Sequence, residues 1–333
     1  MKKFWLFALT LGLVLLTACG GKTEDGSQDT EAEEETSSEE TRSVTIEDAM
    51  GEKTIEGTPK KVVVLEWTYA EDLQALGMEP AGVAGLDSYG DWVDVGIPFS
   101  DKVEDVGTRA EPNLEAISRL DPDLIIGVKF RHEAIADQLE DIAPTVMFAP
   151  YSEEAAQDQF ANMEEEFQTI AKVVDKEDKA EDVLTKMEDT FAEQQSRLEE
   201  AGKAGMNYVI TQAFTLQDTP TLRLFTDNSM VAQIMNQMGM ENDYESEKLE
   251  IYGFTETTVE TLQNYQDSNF FYIVQEEDNI FSEQLADNPV WENLAFVKED
   301  RTYQMPGDTW TFGGPLSAEV LAEQVANAAL EQN

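Results

Sequence analysis

Arginine is the residue to follow in this chain, because 22 lysines and arginines stand against 69 aspartates and glutamates. Arg109 lies in Asp105-Val106-Gly107-Thr108-Arg109-Ala110-Glu111, between an apolar run and the start of a helix. A guanidinium is a planar fork of donors, charged at any relevant pH, that fits paired anionic oxygens. On a loop of so acidic a body it needs an anionic partner, either a ligand or a loop salt bridge to Glu111 or Asp105. Arg131 follows the next apolar run, Leu124 to Gly127, on the loop before another helix. Loops at consecutive strand ends of an α/β sheet converge on one edge, where ligands bind. Arg223 and Arg301 are the candidates in the second half of the chain.

Aromatic residues share these places. Trp67, Tyr69, Tyr89, Trp92, Tyr151, Phe214, Trp310 and Phe312 fall in loops or at strand ends. Each has ordinary core packing as its alternative. Together they predict an aromatic-walled cleft, suited to a ligand with apolar arms and a polar centre.

Catalytic chemistry finds little support. His132 is the one histidine and Cys19 the one cysteine. No Gly-x-Ser-x-Gly elbow accompanies His132, so a Ser-His-Asp triad is not expected. Nor can the chain offer a Cys/His cluster for zinc or copper. The glycine pair in Phe312-Gly313-Gly314-Pro315 runs into proline where a phosphate-binding helix would begin. Acidic pairs leave a carboxylate-only hydrolase open, although such pairs are usually solvated surface. The expectation is a binding protein with no catalytic residue, no bound metal of its own and no cofactor.

The elements that position these residues follow from composition along the chain. Met1-Lys2-Lys3, a short apolar run to Leu16 and Leu16-Thr17-Ala18-Cys19 read as a secretory signal over 1–18. Cys19 then sits where a bacterial lipobox places its lipidated thiol, which holds the protein at a membrane surface. Residues 19–42 carry Glu31-Ala-Glu-Glu-Glu-Thr-Ser-Ser-Glu-Glu40 and are almost without apolar residues, which predicts an extended acidic stalk. The formal charge of −47 argues against nucleic acid and anionic lipid headgroups as partners. It suits surroundings of high salt or high pH. Short apolar strands (Val62–Leu65, Gly82–Gly85, Val103–Val106, Leu124–Gly127, Thr145–Phe148) alternate with helices, which predicts an α/β lobe over 43–154. Phe160, Met163, Phe167, Ile170 and Val174 recur at helical spacing, predicting a long amphipathic helix across 155–176. A second α/β lobe follows over 177–333. The two halves echo one another: Ala75-Leu76-Gly77-Met78-Glu79 in Gln237-Met238-Gly239-Met240-Glu241, and Asn113-Leu114-Glu115 in Thr258-Val259-Glu260. A cleft between two such lobes is where a small molecule binds.

Three segments carry a resemblance. They are Leu65-Glu66-Trp67, the run Gly107-Thr108-Arg109-Ala110-Glu111-Pro112-Asn113-Leu114-Glu115 with Pro122-Asp-Leu-Ile-Ile126, and Arg301-Thr302-Tyr303 with Thr309-Trp310-Thr311-Phe312-Gly313-Gly314-Pro315. Together these resemble the ferric-siderophore-binding lipoproteins of Gram-positive ABC importers, in the ferric-hydroxamate branch that includes citrate-based hydroxamates. The resemblance spans Ser43 to Leu330. Its Gly-Thr-Arg-x-Glu-Pro-Asn-Leu-Glu run is specific, whereas the Pro-Asp-Leu-Ile-Ile run marks only the wider superfamily with its cobalamin and haem binders.

The resemblance implies two Rossmann-like lobes joined by a single long helix, with little closure on binding. It implies a monomer that captures a ferric siderophore outside the cell and hands it to an ABC permease dimer. Arg109 is then a ligand-binding donor in the cleft, with Arg131 a second. Glu115 and Glu260, one from each lobe, are the permease-docking residues, although a carboxylate in a first helical turn also simply favours the helix dipole. One departure bears on the ligand. Carboxylate-only binders of this type tend to carry several arginines after the second-lobe Arg, where this chain has Gln304, Met305 and Pro306. That favours a hydroxamate or mixed citrate-hydroxamate, which brings its own donor oxygens to the iron. Alternatives are a cobalamin or haem binder of the same fold, or a surface lipoprotein with a hydrolase or structural role.

Overall fold

The structure is a computed structural model describing residues 42–331. The expected signal at 1–18, the lipidation site Cys19 and the acidic stalk, all but Arg42, lie outside the described residues. A hairpin opens the first lobe: β1 (Ser43–Asp48) and β2 (Gly51–Glu56) pair antiparallel around the Met50-Gly51 turn. Its alternate residues Val44, Ile46 and Ile55 are buried, and Gly51 takes φ 119°.

The sheet of this lobe alternates with helices along the chain: β3 (Val62–Val64), α1 (Trp67–Ala75), β4 (Gly82–Val83), α2 (Leu86–Trp92), β5 (Glu104–Asp105), α3 (Leu114–Leu120), β6 (Leu124–Val128), α4 (Lys129–His132), α5 (Ala136–Glu140) and β7 (Thr145–Phe148). All strands are parallel, in the order β5-β4-β3-β6-β7. β3, β6 and β7 are buried at every residue, as continuous apolar runs in a covered parallel sheet should be. From central β3 the chain builds outward through β4 and β5, then returns to add β6 and β7 on the other side. The β3–β6 junction is therefore the topological switch point, where a crevice opens at the strands' carboxyl ends.

Two antiparallel helices bridge the lobes. α6 (Gln159–Val173) is capped by Asp158, whose carboxylate accepts from Ala161 N at 2.9 Å. Phe160 and Met163 join the core of the second lobe, whereas Phe167, Ile170 and Val173 join that of the first. α7 (Glu177–Glu200) returns, with Ala180 and Val183 in the first core and Met187, Phe191 and Leu198 in the second. At 1.5 Å per residue the two are about 22 and 36 Å long, enough to reach from one core to the other. The predicted helix across 155–176 begins later because Ala155–Gln157 forms a 3-10 turn ahead of the cap.

The second lobe holds β8 (Asn207–Leu216), β9 (Thr219–Phe225), α8 (Met230–Gln237), β10 (Glu241–Asn242), β11 (Phe254–Thr257), β12 (Asn269–Val274), α9 (Pro289–Asn293), α10 (Ala295–Lys298), β13 (Thr302–Pro306) and α11 (Pro315–Glu331). Its sheet runs β11-β9-β8-β12-β13, with β10 beside β8; β9 is antiparallel to both neighbours. The echoing segments close equivalent helices. Gly77 after α1 and Gly239 after α8 take φ of 73° and 78°, and Met78 N and Met240 N reach back to Leu73 O and Met235 O. Those are the left-handed helix ends that glycine favours. Among the described residues no helix is long and apolar enough to cross a membrane.

Candidate functional site

Glu66, Arg109 and Arg131 are brought together at the switch point. Glu66 follows β3 with extended backbone and caps α1, accepting from Trp67 N at 3.1 Å. It is 8% exposed. Its Oε1 accepts from Arg109 Nη1 at 2.6 Å, and its Oε2 accepts from Arg131 Nη1. Two guanidiniums against one carboxylate leave a net positive charge on the cleft wall. Each guanidinium has five donors and spends one on Glu66.

Local chemistry aims each arginine. At the end of β5, Asp105 accepts from Gly107 N at 2.8 Å, and beyond it Thr108 Oγ1 accepts from Glu111 N at 3.0 Å. Gly107, at φ 93°, lets the loop double back so that it bridges to Pro112. A Cβ there would meet Asn113 N at 2.8 Å. Arg109 rises from this tight loop, and its guanidinium lies 3.6 Å from the centre of the Trp67 ring. Arg131 stacks on Phe130 at 4.8 Å. His132 ties the Arg109 loop to α4, the short helix that carries Arg131 where the sequence predicts a loop. Its Nδ1 accepts from Val128 N at 3.0 Å, so Nε2 carries the proton and donates to Arg109 O at 2.8 Å. Burial holds His132 below its usual pKa, in keeping with this neutral tautomer. Gly127 makes room for the ring, since a Cβ would come 2.9 Å from Nδ1.

The cleft these groups line has a volume of about 690 Å³ and takes residues from both lobes. Arg223 faces it from β9, paired with Glu256 at 3.2 Å and stacked at 4.7 Å on Phe254. A chain of rings crosses from lobe to lobe at the mouth: Phe130 to Tyr151 at 5.4 Å, Tyr151 to Tyr252 at 4.9 Å, and Tyr252 stacked on Phe254 at 6.1 Å. Trp310 and Phe312 pack edge-on at 5.5 Å from the loop before α11.

At the back of the cleft the lobes are joined by carboxyl groups. Glu71, fully buried on α1, accepts from Gly314 N at 3.0 Å, Ser317 N at 2.7 Å and Ser317 Oγ at 2.6 Å. The free N–H groups at the start of α11 thus meet a carboxylate of the other lobe. The glycine pair is explained by the same contact: a Cβ on Gly313 would lie 2.3 Å from Ser317 Oγ, and one on Gly314 2.2 Å from Asp72 Oδ1. Asp72 and Glu166 line the cleft beside it. Burial raises both carboxyls, that of Glu166 to about 7 although Asn162 and Tyr69 donate to it. The like charges of Glu71 and Glu166 raise Asp72 further.

Of the residues singled out in the sequence, Arg109, Arg131, Tyr69, Tyr151, Arg223, Trp310 and Phe312 line the cleft. Others are placed elsewhere, for identifiable reasons. Trp67 is buried behind Arg109, its Nε1 donating to Ala84 O at 3.1 Å. Tyr89 fills the first core between Trp67 and Phe99. Trp92 and Phe214 border a separate pocket of about 30 Å³. Arg301 is held by Glu299 at 3.0 Å and by the carbonyls of Ser268 and Gln266, which fix the chain ahead of β13. Glu115 and Glu260 lie outside the cleft, exposed, in the first turns of α3 and of the 3-10 helix Val259–Asn264. Glu115 pairs with Arg119 at 3.6 Å, and Glu260 accepts from Thr258 Oγ1, which lowers its pKa. The partner of Arg109 is Glu66, not Glu111 or Asp105. Glu66, Phe130, Glu166, Tyr252 and Phe254 were not singled out; of these only Glu66 stands in a segment that carried the resemblance.

Comparison with known proteins agrees with this geometry. A periplasmic binding protein family profile matches residues 62–309. The chain is 31% identical over 319 residues to the Fe(3+)-citrate-binding protein YfmC of Bacillus subtilis (strain 168), covering 95% of this chain and 93% of that protein. It is 28% identical over 270 residues to the iron(3+)-hydroxamate-binding protein FhuD of Escherichia coli (strain K12), covering 81% and 87%. The crystal structure of the siderophore-binding protein FhuD from Vibrio cholerae, bound to Fe3+-Desferal, superposes with a TM-score of 0.72 at 27% identity, over 81% of this chain and 98% of that one. Two sheets bridged by paired helices, an arginine-lined cleft at the switch point and a family match across both lobes have one reading: the chain belongs to the periplasmic binding protein family.

Proposed function

We propose that this protein is the extracellular solute-binding component of an ABC importer, capturing a ferric siderophore of hydroxamate or mixed citrate-hydroxamate type and delivering it to a permease. The observation that carries this reading is the Arg109–Glu66–Arg131 arrangement. A wall with two guanidiniums and one carboxylate repels a bare ferric ion and accepts the anionic oxygens of a chelate. Aromatic residues from both lobes suit the apolar arms of such a ligand. The relatives whose names include ferric citrate and ferric hydroxamate support the same class.

The remaining parts belong to this reading. Cys19 carries the lipid anchor after removal of 1–18, the acidic stretch to residue 42 is the stalk, and the protein works at the outer face of the membrane as a monomer without catalytic activity. Glu115 and Glu260 dock on the permease. Titration with ferric hydroxamate, ferric citrate, cobalamin and haem, followed through tryptophan fluorescence, tests the ligand class. Quenching by the hydroxamate chelate at the lowest concentration is the expected result. Preferential binding of haem or cobalamin, or no response to any of them, overturns it.

A further inference from the structure

Three buried polar atoms on residues lining the cleft have no hydrogen-bond partner: Asp72 Oδ1, Thr311 Oγ1 and Trp310 Nε1. All three belong to one seam, where α1 of the first lobe meets the loop before α11 of the second. Thr68 Oγ1 donates to Phe312 O at 2.6 Å across it. Buried polar atoms are nearly always satisfied, and each one left alone costs roughly 1–3 kcal/mol. Three of them on residues that line one cleft call for partners.

Asp72 is the informative member. It is 1% exposed. The backbone passes hard against its Oδ1 at Gly314, but the Gly314 N–H is directed to Glu71 instead. Asp72 therefore serves neither as a helix cap nor in an ion pair. The charged and titratable groups acting on it are Glu71 from its own helix and Glu166 from α6, both acidic. Arg109 and Arg131 pair with Glu66, not with Asp72. The cleft thus gathers arginines beside Glu66 and only acidic groups beside Asp72.

We propose that Asp72 and Thr311 form a second ligand subsite, which takes a protonated amine on the periphery of the chelate, while the Trp310 indole N–H donates to a neighbouring ligand oxygen. This rests on the reading of the cleft as a siderophore site and narrows it to ligands that are anionic at one end and cationic at the other. Burial, and then its acidic neighbours, favours the neutral form of the Asp72 carboxyl; an ammonium group placed against it favours the ionised form, the carboxyl proton passing to solvent.

The test compares two probes on the full chain: a linear ferric trihydroxamate ending in a primary amine, and the same chelate with that amine acetylated. Tryptophan quenching at pH 7 should give a Kd for the amine form at least about tenfold lower than for the acetylated form, the scale of one charge-assisted hydrogen bond. Asp72→Asn should bring the two values within about twofold of each other, and Thr311→Val should narrow the gap in the same direction. Equal affinities in the wild-type protein overturn the subsite while leaving the siderophore reading intact. Binding of neither chelate overturns both. The wild-type ratio decides the matter even where Asp72→Asn folds poorly, and a gap that survives in folded Asp72→Asn also refutes the subsite.

Discussion

The carboxylate of Glu66 lies between Arg109 and Arg131, taking one guanidinium on each of its oxygens. This one relationship joins the segments that follow β3, β5 and β6 into a single surface. It also fixes the two forks before any ligand arrives, so binding does not bear the full entropic cost of ordering them.

Charge without fork geometry should not suffice. Arg131→Lys keeps the positive charge but loses the planar donor pair and the stacking on Phe130. A roughly tenfold increase in Kd for a ferric hydroxamate is expected, about 1.4 kcal/mol. Fluorescence titration beside the wild type checks it; an unchanged Kd shows that Arg131 contributes charge alone.

Glu71 should hold the lobes together. Glu71→Ala leaves the N–H groups of Gly314 and Ser317 and the Ser317 hydroxyl without their acceptor inside the protein. A loss of about 3 kcal/mol in unfolding free energy is expected. Urea denaturation measures it, and a loss below half that value would mean that water replaces the carboxylate at the seam.

Stability should fall as pH rises through the weakly acidic range. Glu166 has a folded pKa near 7, above its ordinary value near 4.5. Below pH 4.5 both states hold the proton. Between 4.5 and 7 the unfolded chain releases it while the folded one retains it, so stability is lost, and above 7 the loss is complete. At about 1.4 kcal/mol per unit, the share of this group is on the order of 3 kcal/mol. Glu71 and Asp72 are shifted the same way and add to the trend. Thermal unfolding of Glu166→Gln between pH 4.5 and 8 should show a flatter curve than the wild type; parallel curves would contradict this.

Docking should be separable from binding. Glu115→Ala with Glu260→Ala changes two exposed residues outside the cleft. Cells carrying the double variant should bind the ferric siderophore and fail to import it. Radio-iron uptake at wild-type rate would remove the docking role.

Much of this fold was legible because parallel strands buried on both faces leave a plain signal. β6 and β7 are continuous apolar runs, and Gly77 and Gly239 stop their helices where a left-handed residue is needed. β9 was missed. Its hairpin turns on Gln217 and Asp218, both at positive φ without a glycine to announce it. The site was legible where polarity made a residue costly, as at Arg109 and Arg131. It was not where tertiary contact decides. Trp67 and Trp310 sit 5.4 Å apart, yet only Trp310 lines the cleft, because Arg109 lies over the Trp67 face. Arg301 looked like a ligand donor and instead holds backbone carbonyls. Asp72 and Glu166 were invisible because acidic residues abound here and burial alone sets these two apart.

The affinity of Arg109→Ala for a ferric hydroxamate, against wild type under the same conditions, tests the account most directly. Truncating a charge-assisted partner in the cleft should weaken binding by roughly 2–4 kcal/mol, about 30- to 1,000-fold in Kd. Wild-type affinity in that variant, with its fold intact by circular dichroism, would show that the guanidinium beside Glu66 does not recognise the chelate.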